Sequence, residues 1–133
     1  MAGGFAATAP FGVSRQVAGH GLVALGYAPR RSPVEARADV LWVSNGGLAE
    51  AVSVNASGVL PVARLGVAGA AVRPYVLAGG GVHDFGGGRP RALSAHAGGG
   101  VRVERARYVA FTELRRHAAY DKSLLSLGAT LRR

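Results

Sequence analysis

The fold of this chain is decided by its last third, residues 92–133, which reads ALSAHAGGGVRVERARYVAFTELRRHAAYDKSLLSLGATLRR. Small apolar and polar residues alternate there with a period of two, so that Val101 and Val103 are interleaved with Arg102 and Glu104. Two further segments repeat the same separation. Alternation with this period is typical of half-buried β-strands and not of helices. The sequence therefore predicts three consecutive strands in this third.

The same alternation occurs in soluble sandwiches and in membrane barrels, with opposite meanings. A sandwich core is usually filled by large side chains, whereas the apolar faces here are mostly Ala, Val, Gly and Leu. Such faces suit lipid, and the opposite faces pair Arg with Glu as the narrow lumen of a closed barrel does. We therefore predict an apolar exterior and a polar interior. The predicted lipid-facing positions include Ala97, Val101, Ala110, Leu127 and Ala129.

The rest of the chain is divided by turn residues into further strands. The predicted strands span residues 5–13, 21–28, 34–43, 50–60, 75–85, 93–104, 108–117 and 125–132. Pro10 is compatible with the first only near a strand end, and residues 61–73 fit either a long turn or a short helix. The fold class predicted is all-β: an antiparallel up-and-down transmembrane β-barrel of about eight strands, forming a single domain over residues 1–133.

Composition narrows the possible classes of protein. The chain has 21 glycines and no cysteine, and its net charge of +9 is almost entirely arginine. The lack of cysteine excludes disulfides and thiol chemistry, and no apolar run reaches the roughly 18 to 20 residues of a spanning helix. The first residues, Met1 to Phe5, do not resemble a secretory signal. If the protein is exported, we expect this chain to be a mature or truncated form.

Charged and polar residues recur on the faces predicted to point inward. In a narrow interior these charges must pair with one another, because an unpaired buried charge is costly. The predicted lumen charge network consists of Glu35, Arg37, Asp39, Asn55, Arg102, Glu104, Glu113 and Arg115.

Aromatic residues are expected at the two membrane interfaces of such a barrel. Most aromatic residues fall near predicted strand ends. The predicted interface aromatics are Tyr27, Trp42, Tyr75, Phe85, Tyr108 and Tyr120. The alternation does not decide whether Tyr75 faces outward or inward.

Several of these segments together carry a family resemblance. They are RPYVLAGGG at residues 73–81, RAD at 37–39, Asn55, FTELR at 111–115 and LGATLR at 127–132. In this order and spacing they resemble the small outer-membrane β-barrel family, OmpA- or OmpX-like in architecture. The resemblance implies location in the bacterial outer membrane, contact with outer-membrane lipids and lipopolysaccharide, insertion by the barrel-assembly machinery, and a monomer.

Catalytic and metal chemistry find little support in the sequence. The histidines His20, His83, His96 and His117 have no short ligand spacing, although His96 and His117 could face one lumen from nearby strands. The glycine triplets are not phosphate loops, since no Gly-Lys-Ser or Gly-Lys-Thr follows; we expect them to relieve barrel curvature. We therefore predict no enzyme activity, no cofactor and no metal site.

The high arginine content raises nucleic-acid binding as another class of function. Nucleic-acid binding is disfavoured because aromatic residues on the polar faces are too few for a base-stacking platform. The arginines instead fall at one end of the predicted barrel, where they suit anionic lipid headgroups or form an ordinary solvated surface. They are Arg30, Arg31, Arg64, Arg73, Arg105, Arg107, Arg132 and Arg133.

The functional hypothesis is a bacterial outer-membrane barrel with a structural, adhesive or narrow-pore role, a plugged polar lumen and a lipid-facing exterior. The alternative is a soluble eight-stranded ligand-binding barrel of the lipocalin or avidin type. Its cavity would be lined by apolar and aromatic side chains.

Overall fold

The structure, a computed structural model, describes residues 2–11, 19–44, 50–84, 86, 88–118 and 122–131. Within these residues the chain forms nine antiparallel β-strands. They are β1 (Ala2–Phe11), β2 (Gly19–Tyr27), β3 (Glu35–Ser44), β4 (Glu50–Pro61), β5 (Leu65–Val67), β6 (Ala70–Asp84), β7 (Ala92–Arg105), β8 (Tyr108–His117) and β9 (Lys122–Leu131).

Eight of these strands form a closed barrel. Each pairs with its neighbour in the chain, β4 pairs with β6, and β1 pairs with β9 to close the sheet on itself. The short β5 pairs with β6 alone and extends one edge. The predicted antiparallel, up-and-down barrel of about eight strands is therefore confirmed. No helix with the length and hydropathy of a membrane span occurs in the described part of the chain.

Residues 61–73 form neither the long turn nor the short helix that the sequence suggested. They form the end of β4, the whole of β5 and the start of β6, which begins at Ala70 and not at Tyr75. Ala68 and Gly69 have φ values of 46° and 78°, so the chain reverses in a two-residue hairpin turn. Such turns match the twist of the two flanking strands, and this one lets β5 fold back on β6.

Both ends of the described chain lie at one end of the barrel. β1 begins there at Ala2 and β9 ends there at Leu131. The up-and-down connectivity places the β2–β3 and β7–β8 turns at the same end. The β5–β6 hairpin also lies there. We call this the terminal end.

The two faces of the barrel wall have opposite polarity. Burial along β4 alternates residue by residue, with Ser53 and Asn55 buried and Val52 and Val54 exposed. Exposed apolar side chains recur on the outer face of the strands: Leu25, Val40, Trp42, Val52, Val54, Val76, Val82, Leu93, Val101, Val103, Leu114 and Leu127. The inner face combines buried charges with two small apolar clusters, built on Leu22, Leu41 and Leu124 and on Val59, Tyr75 and Leu77.

Glycines on the inner face of β6 and β7 allow adjacent groups to approach closely. A Cβ at Gly81 would overlap the Asn55 side chain and the Val54 carbonyl oxygen. A Cβ at Gly100 would overlap the Thr112 carbonyl oxygen and lie 2.7 Å from the Tyr75 hydroxyl. Glycine in a strand interior commonly marks such close approach. These glycines leave the room that polar side chains occupy in the lumen.

Candidate functional site

Four charged side chains meet in the middle of the lumen. Arg115 Nη1 donates to both carboxylate oxygens of Asp39 at 3.0 Å, and Arg115 Nη2 donates to Glu113 Oε1 at 2.7 Å. Arg37 Nη1 donates to Glu113 Oε2 at 2.6 Å, and Arg37 Nε lies 3.6 Å from Asp39 Oδ2. Guanidinium and carboxylate groups therefore alternate. We call these four residues the central charge ring.

The central charge ring joins opposite walls of the barrel. Arg37 and Asp39 lie on β3, whereas Glu113 and Arg115 lie on β8. Around the closed sheet, β2, β1 and β9 separate these strands on one side, and β4, β6 and β7 separate them on the other. The side chains are 12% exposed for Arg37, 3% for Arg115 and 0% for both acids. Two cations balance two anions, so the ring carries no net charge.

Neutral polar groups complete the ring. Tyr75 donates its hydroxyl to Glu113 Oε2 at 2.8 Å. Asn55 Nδ2 lies within hydrogen-bonding distance of Asp39 Oδ1 at 3.0 Å and of Ser53 Oγ at 3.2 Å. Hydrogen bonds to ionised groups are stronger than those between neutral groups. The ring is thereby fixed to β4 and β6 as well as to β3 and β8.

A second network lies nearer the terminal end. Arg102 binds Glu35 through two parallel hydrogen bonds, of 2.6 Å from Nη1 and 2.5 Å from Nη2. Arg102 Nε lies 3.1 Å from Glu104 Oε1, and Arg73 Nε lies 3.2 Å from Glu104 Oε2. The paired hydrogen bonds between Arg102 and Glu35 have the fork geometry that favours arginine over lysine.

All eight residues predicted for the lumen network face the inside of the barrel. The structure divides them into the central charge ring with Asn55 and the second network of Glu35, Arg102 and Glu104. Sequence reasoning missed Arg73 as a member. Residues 61–73 were not predicted to form a strand, so Arg73 was placed among the arginines at one end of the barrel.

Three histidines occupy the lumen on the other side of the ring. His83, His96 and His117 are at most 4% exposed, and the ring of His117 lies 5.6 Å from that of His83 and 5.0 Å from that of His96, centre to centre. His96 Nε2 lies 2.8 Å from Ser57 Oγ. Among the described residues, no three His, Cys, Asp or Glu side chains are arranged to hold a metal ion. The side chain of His20 lies outside the described part of the chain.

The predicted interface aromatics have mixed outcomes. Tyr27, Trp42 and Tyr108 are outward and 67%, 43% and 69% exposed. Trp42 also covers Gly21, where an added Cβ would overlap the indole ring. The prediction for Tyr75 is wrong: this side chain is 5% exposed and its hydroxyl binds Glu113 inside the lumen. Phe85 and Tyr120 lie outside the described residues.

The arginines predicted to cluster at one end are only partly an outer rim. Arg30, Arg31, Arg64, Arg105 and Arg107 are exposed at the terminal end. Arg73 is instead directed to Glu104, and its side chain is 20% exposed. Its inward position follows from the early start of β6, which puts Arg73 on the same face as Tyr75. Arg132 and Arg133 lie outside the described residues.

Two solved structures have the same fold as this chain. The N-terminal β-barrel domain of Pseudomonas aeruginosa OprF superposes with a TM-score of 0.60 at 15% sequence identity, covering 98% of this chain and 96% of that one. Neisserial surface protein A (NspA) superposes with a TM-score of 0.60 at 12% identity, covering 99% of this chain and 94% of that one. No protein-family model and no curated protein matches the sequence. The expected fold, that of small outer-membrane β-barrels, is confirmed.

Proposed function

We propose that this chain is a bacterial outer-membrane β-barrel protein with a structural role, and that the central charge ring closes its lumen to solutes. The observation that carries the proposal is the inverted polarity of the wall. Ion-paired Arg115 and Asp39 lie inside, whereas Val54 and Leu127 outside are 60% and 57% exposed. A soluble barrel would place large apolar side chains inside and polar ones outside.

The closed lumen follows from the burial of the ring. A path through the barrel would have to pass between β3 and β8, where Arg115 bridges Asp39 and Glu113. Separating these groups without replacing their partners leaves buried charges uncompensated, which is strongly unfavourable. The same mutual engagement of acids and bases supports a protein without catalytic activity.

The proposed partners are the lipids of the outer membrane and the machinery that inserts barrels into it. The exposed arginines of the terminal end, among them Arg30, Arg64 and Arg107, suit the anionic headgroups of the membrane surface. The outer face of the strands suits hydrocarbon, so we propose that the protein is a monomer that contacts lipopolysaccharide and phospholipid directly.

Refolding with and without detergent tests the membrane assignment. The purified chain is diluted from denaturant into plain buffer, into micelles or into phosphatidylcholine liposomes. Far-ultraviolet circular dichroism and the change in gel mobility on heating report folding. We expect strand structure and heat-modifiable mobility only with micelles or liposomes. A folded monomer at high concentration in plain buffer would instead favour the soluble barrel.

A further inference from the structure

The lumen is not filled evenly along its length. Between the central charge ring and the terminal end lies a cavity of about 680 Å³, open at its mouth. This volume falls within the roughly 300 to 1,000 Å³ typical of small-molecule sites. On the other side of the ring the lumen is packed with Leu22, Leu41, Leu124 and His117. The barrel is therefore a cup whose floor is the central charge ring.

The wall of the cup is apolar on one part and charged on another. Val59, Val109 and Phe111 supply the apolar part. The charged part has four guanidinium groups and only two carboxylates, those of Glu35 and Glu104. Both carboxylates are already paired with arginines of the wall. A wall of this kind matches a molecule that has an apolar body and an acidic group.

Two donors of the cup are not engaged by the protein. No ion pair among the described residues includes Arg30, which lines the mouth. At the floor, Arg37 lines the cup and its Nη2 has no hydrogen-bond partner, although that atom is itself buried beneath the cavity surface. The unpaired Arg30 at the mouth therefore favours an anion in the cup.

We propose that the cup binds a small amphipathic organic anion, with its carboxylate or phosphate group on arginine and its apolar body against Val59, Val109 and Phe111. This site goes beyond the structural role, because it uses the space that the central charge ring does not fill. The ligand is either lipid-derived, such as a fatty acid, or a soluble aromatic acid, and both sources share this chemistry.

Titration of the folded barrel tests the proposal. Isotope-labelled protein in phosphatidylcholine nanodiscs, checked for folding by heat-modifiable mobility, is titrated with decanoate and with phenyl phosphate. Nuclear magnetic resonance follows the backbone amides and the arginine Nε–H groups. We expect saturable shifts at Phe111 and Arg37 with at least one probe. Binding of decanoate alone indicates a lipid-derived ligand, and binding of phenyl phosphate alone indicates a soluble one. Absence of saturable shifts with both probes overturns the proposal.

Two pairs of variants separate a site in the cup from general surface attraction. Arg30→Gln should weaken binding at least about tenfold, as expected for a lost hydrogen bond to a charged group. Arg31→Gln, at the adjacent exposed arginine that does not line the cavity, should leave it unchanged. Ala24→Leu should narrow the cup and weaken binding, whereas Ala38→Leu on the outer face should not. Equal effects within either pair would also overturn the proposal.

Discussion

Arg115 on β8 and Asp39 on β3 are joined across the whole width of the barrel, with Arg115 Nη1 3.0 Å from both oxygens of the carboxylate. The two residues are 76 positions apart in the chain. Their contact joins opposite walls directly, which hydrogen bonds between neighbouring strands do not do. It therefore contributes to the shape of the barrel as well as to its closure.

Removing the guanidinium of this pair should be strongly destabilising. Arg115→Ala leaves Asp39 and Glu113 short of a partner in a site that is almost completely buried. We expect the free energy of unfolding to fall by roughly 3 to 5 kcal/mol, measured by urea titration of the protein in liposomes. Arg107→Ala, in the exposed β7–β8 turn, is the matched control and should be neutral. Equal stability of the two variants would contradict the role of Arg115 in holding β3 and β8 together.

The hydroxyl of Tyr75 should stabilise the barrel independently of the packing of its ring. Tyr75→Phe keeps the packing against Val59 and Leu77 but removes the hydrogen bond to Glu113. The expected loss of stability is about 1.5 to 3 kcal/mol, the usual range for a hydrogen bond to a charged group. Tyr108→Phe, at a side chain that is 69% exposed, should have no measurable effect. The same urea titration compares the two variants. An unchanged free energy of unfolding for Tyr75→Phe would mean that this hydroxyl does not stabilise the barrel.

The two faces of one glycine triplet should respond differently to substitution. Gly81→Ala places a methyl group against Asn55 and the Val54 carbonyl oxygen. Gly80→Ala places it on the outer face, 3.5 Å from the Ser94 carbonyl oxygen, in ordinary contact. Overpacking of this kind costs typically about 1 to 3 kcal/mol, so the Gly81 variant should unfold at lower urea concentration. Unfolding midpoints in the reverse order would refute the inward assignment of Gly81.

Face assignment was accessible from sequence because the alternation is unambiguous wherever charges are interleaved with small apolar residues. In β3 each charge has apolar neighbours on both sides, and in β8 Glu113 is followed by Leu114, so Asp39 and Glu113 could be assigned to the lumen. Residues 75–82 of β6 are apolar or glycine on both faces. The period of two leaves no visible mark there, and the side of Tyr75 could not be read from it.

The height of each residue along the barrel was not accessible from sequence. Alternation gives the face but not the stagger between strands, which depends on the closure of the whole barrel. For that reason Arg102 could be placed inside but not paired with Glu35, and Arg115 could not be paired with Asp39. The cup could not be predicted for the same reason, since its position depends on where the central charge ring lies along the barrel axis.

Charge on the outer face should prevent insertion. Leu127 lies near the middle of β9 and is 57% exposed. Leu127→Arg should cost roughly 2 to 4 kcal/mol against hydrocarbon, reducing the yield of heat-modifiable protein in liposomes. Ala63→Arg, in the exposed segment between β4 and β5, is the control and should fold normally. An unchanged yield for Leu127→Arg would mean that this face does not contact lipid.

The central claim is that the lumen is closed, and single-channel recording in planar bilayers measures this directly. Protein that has inserted, as shown by heat-modifiable mobility after recovery from the membrane, should give no steady conductance steps. This result is expected because the central charge ring fills the lumen with groups that are bound to one another. Large, steady, ohmic steps from the wild-type protein would show an open, water-filled pore and contradict the account.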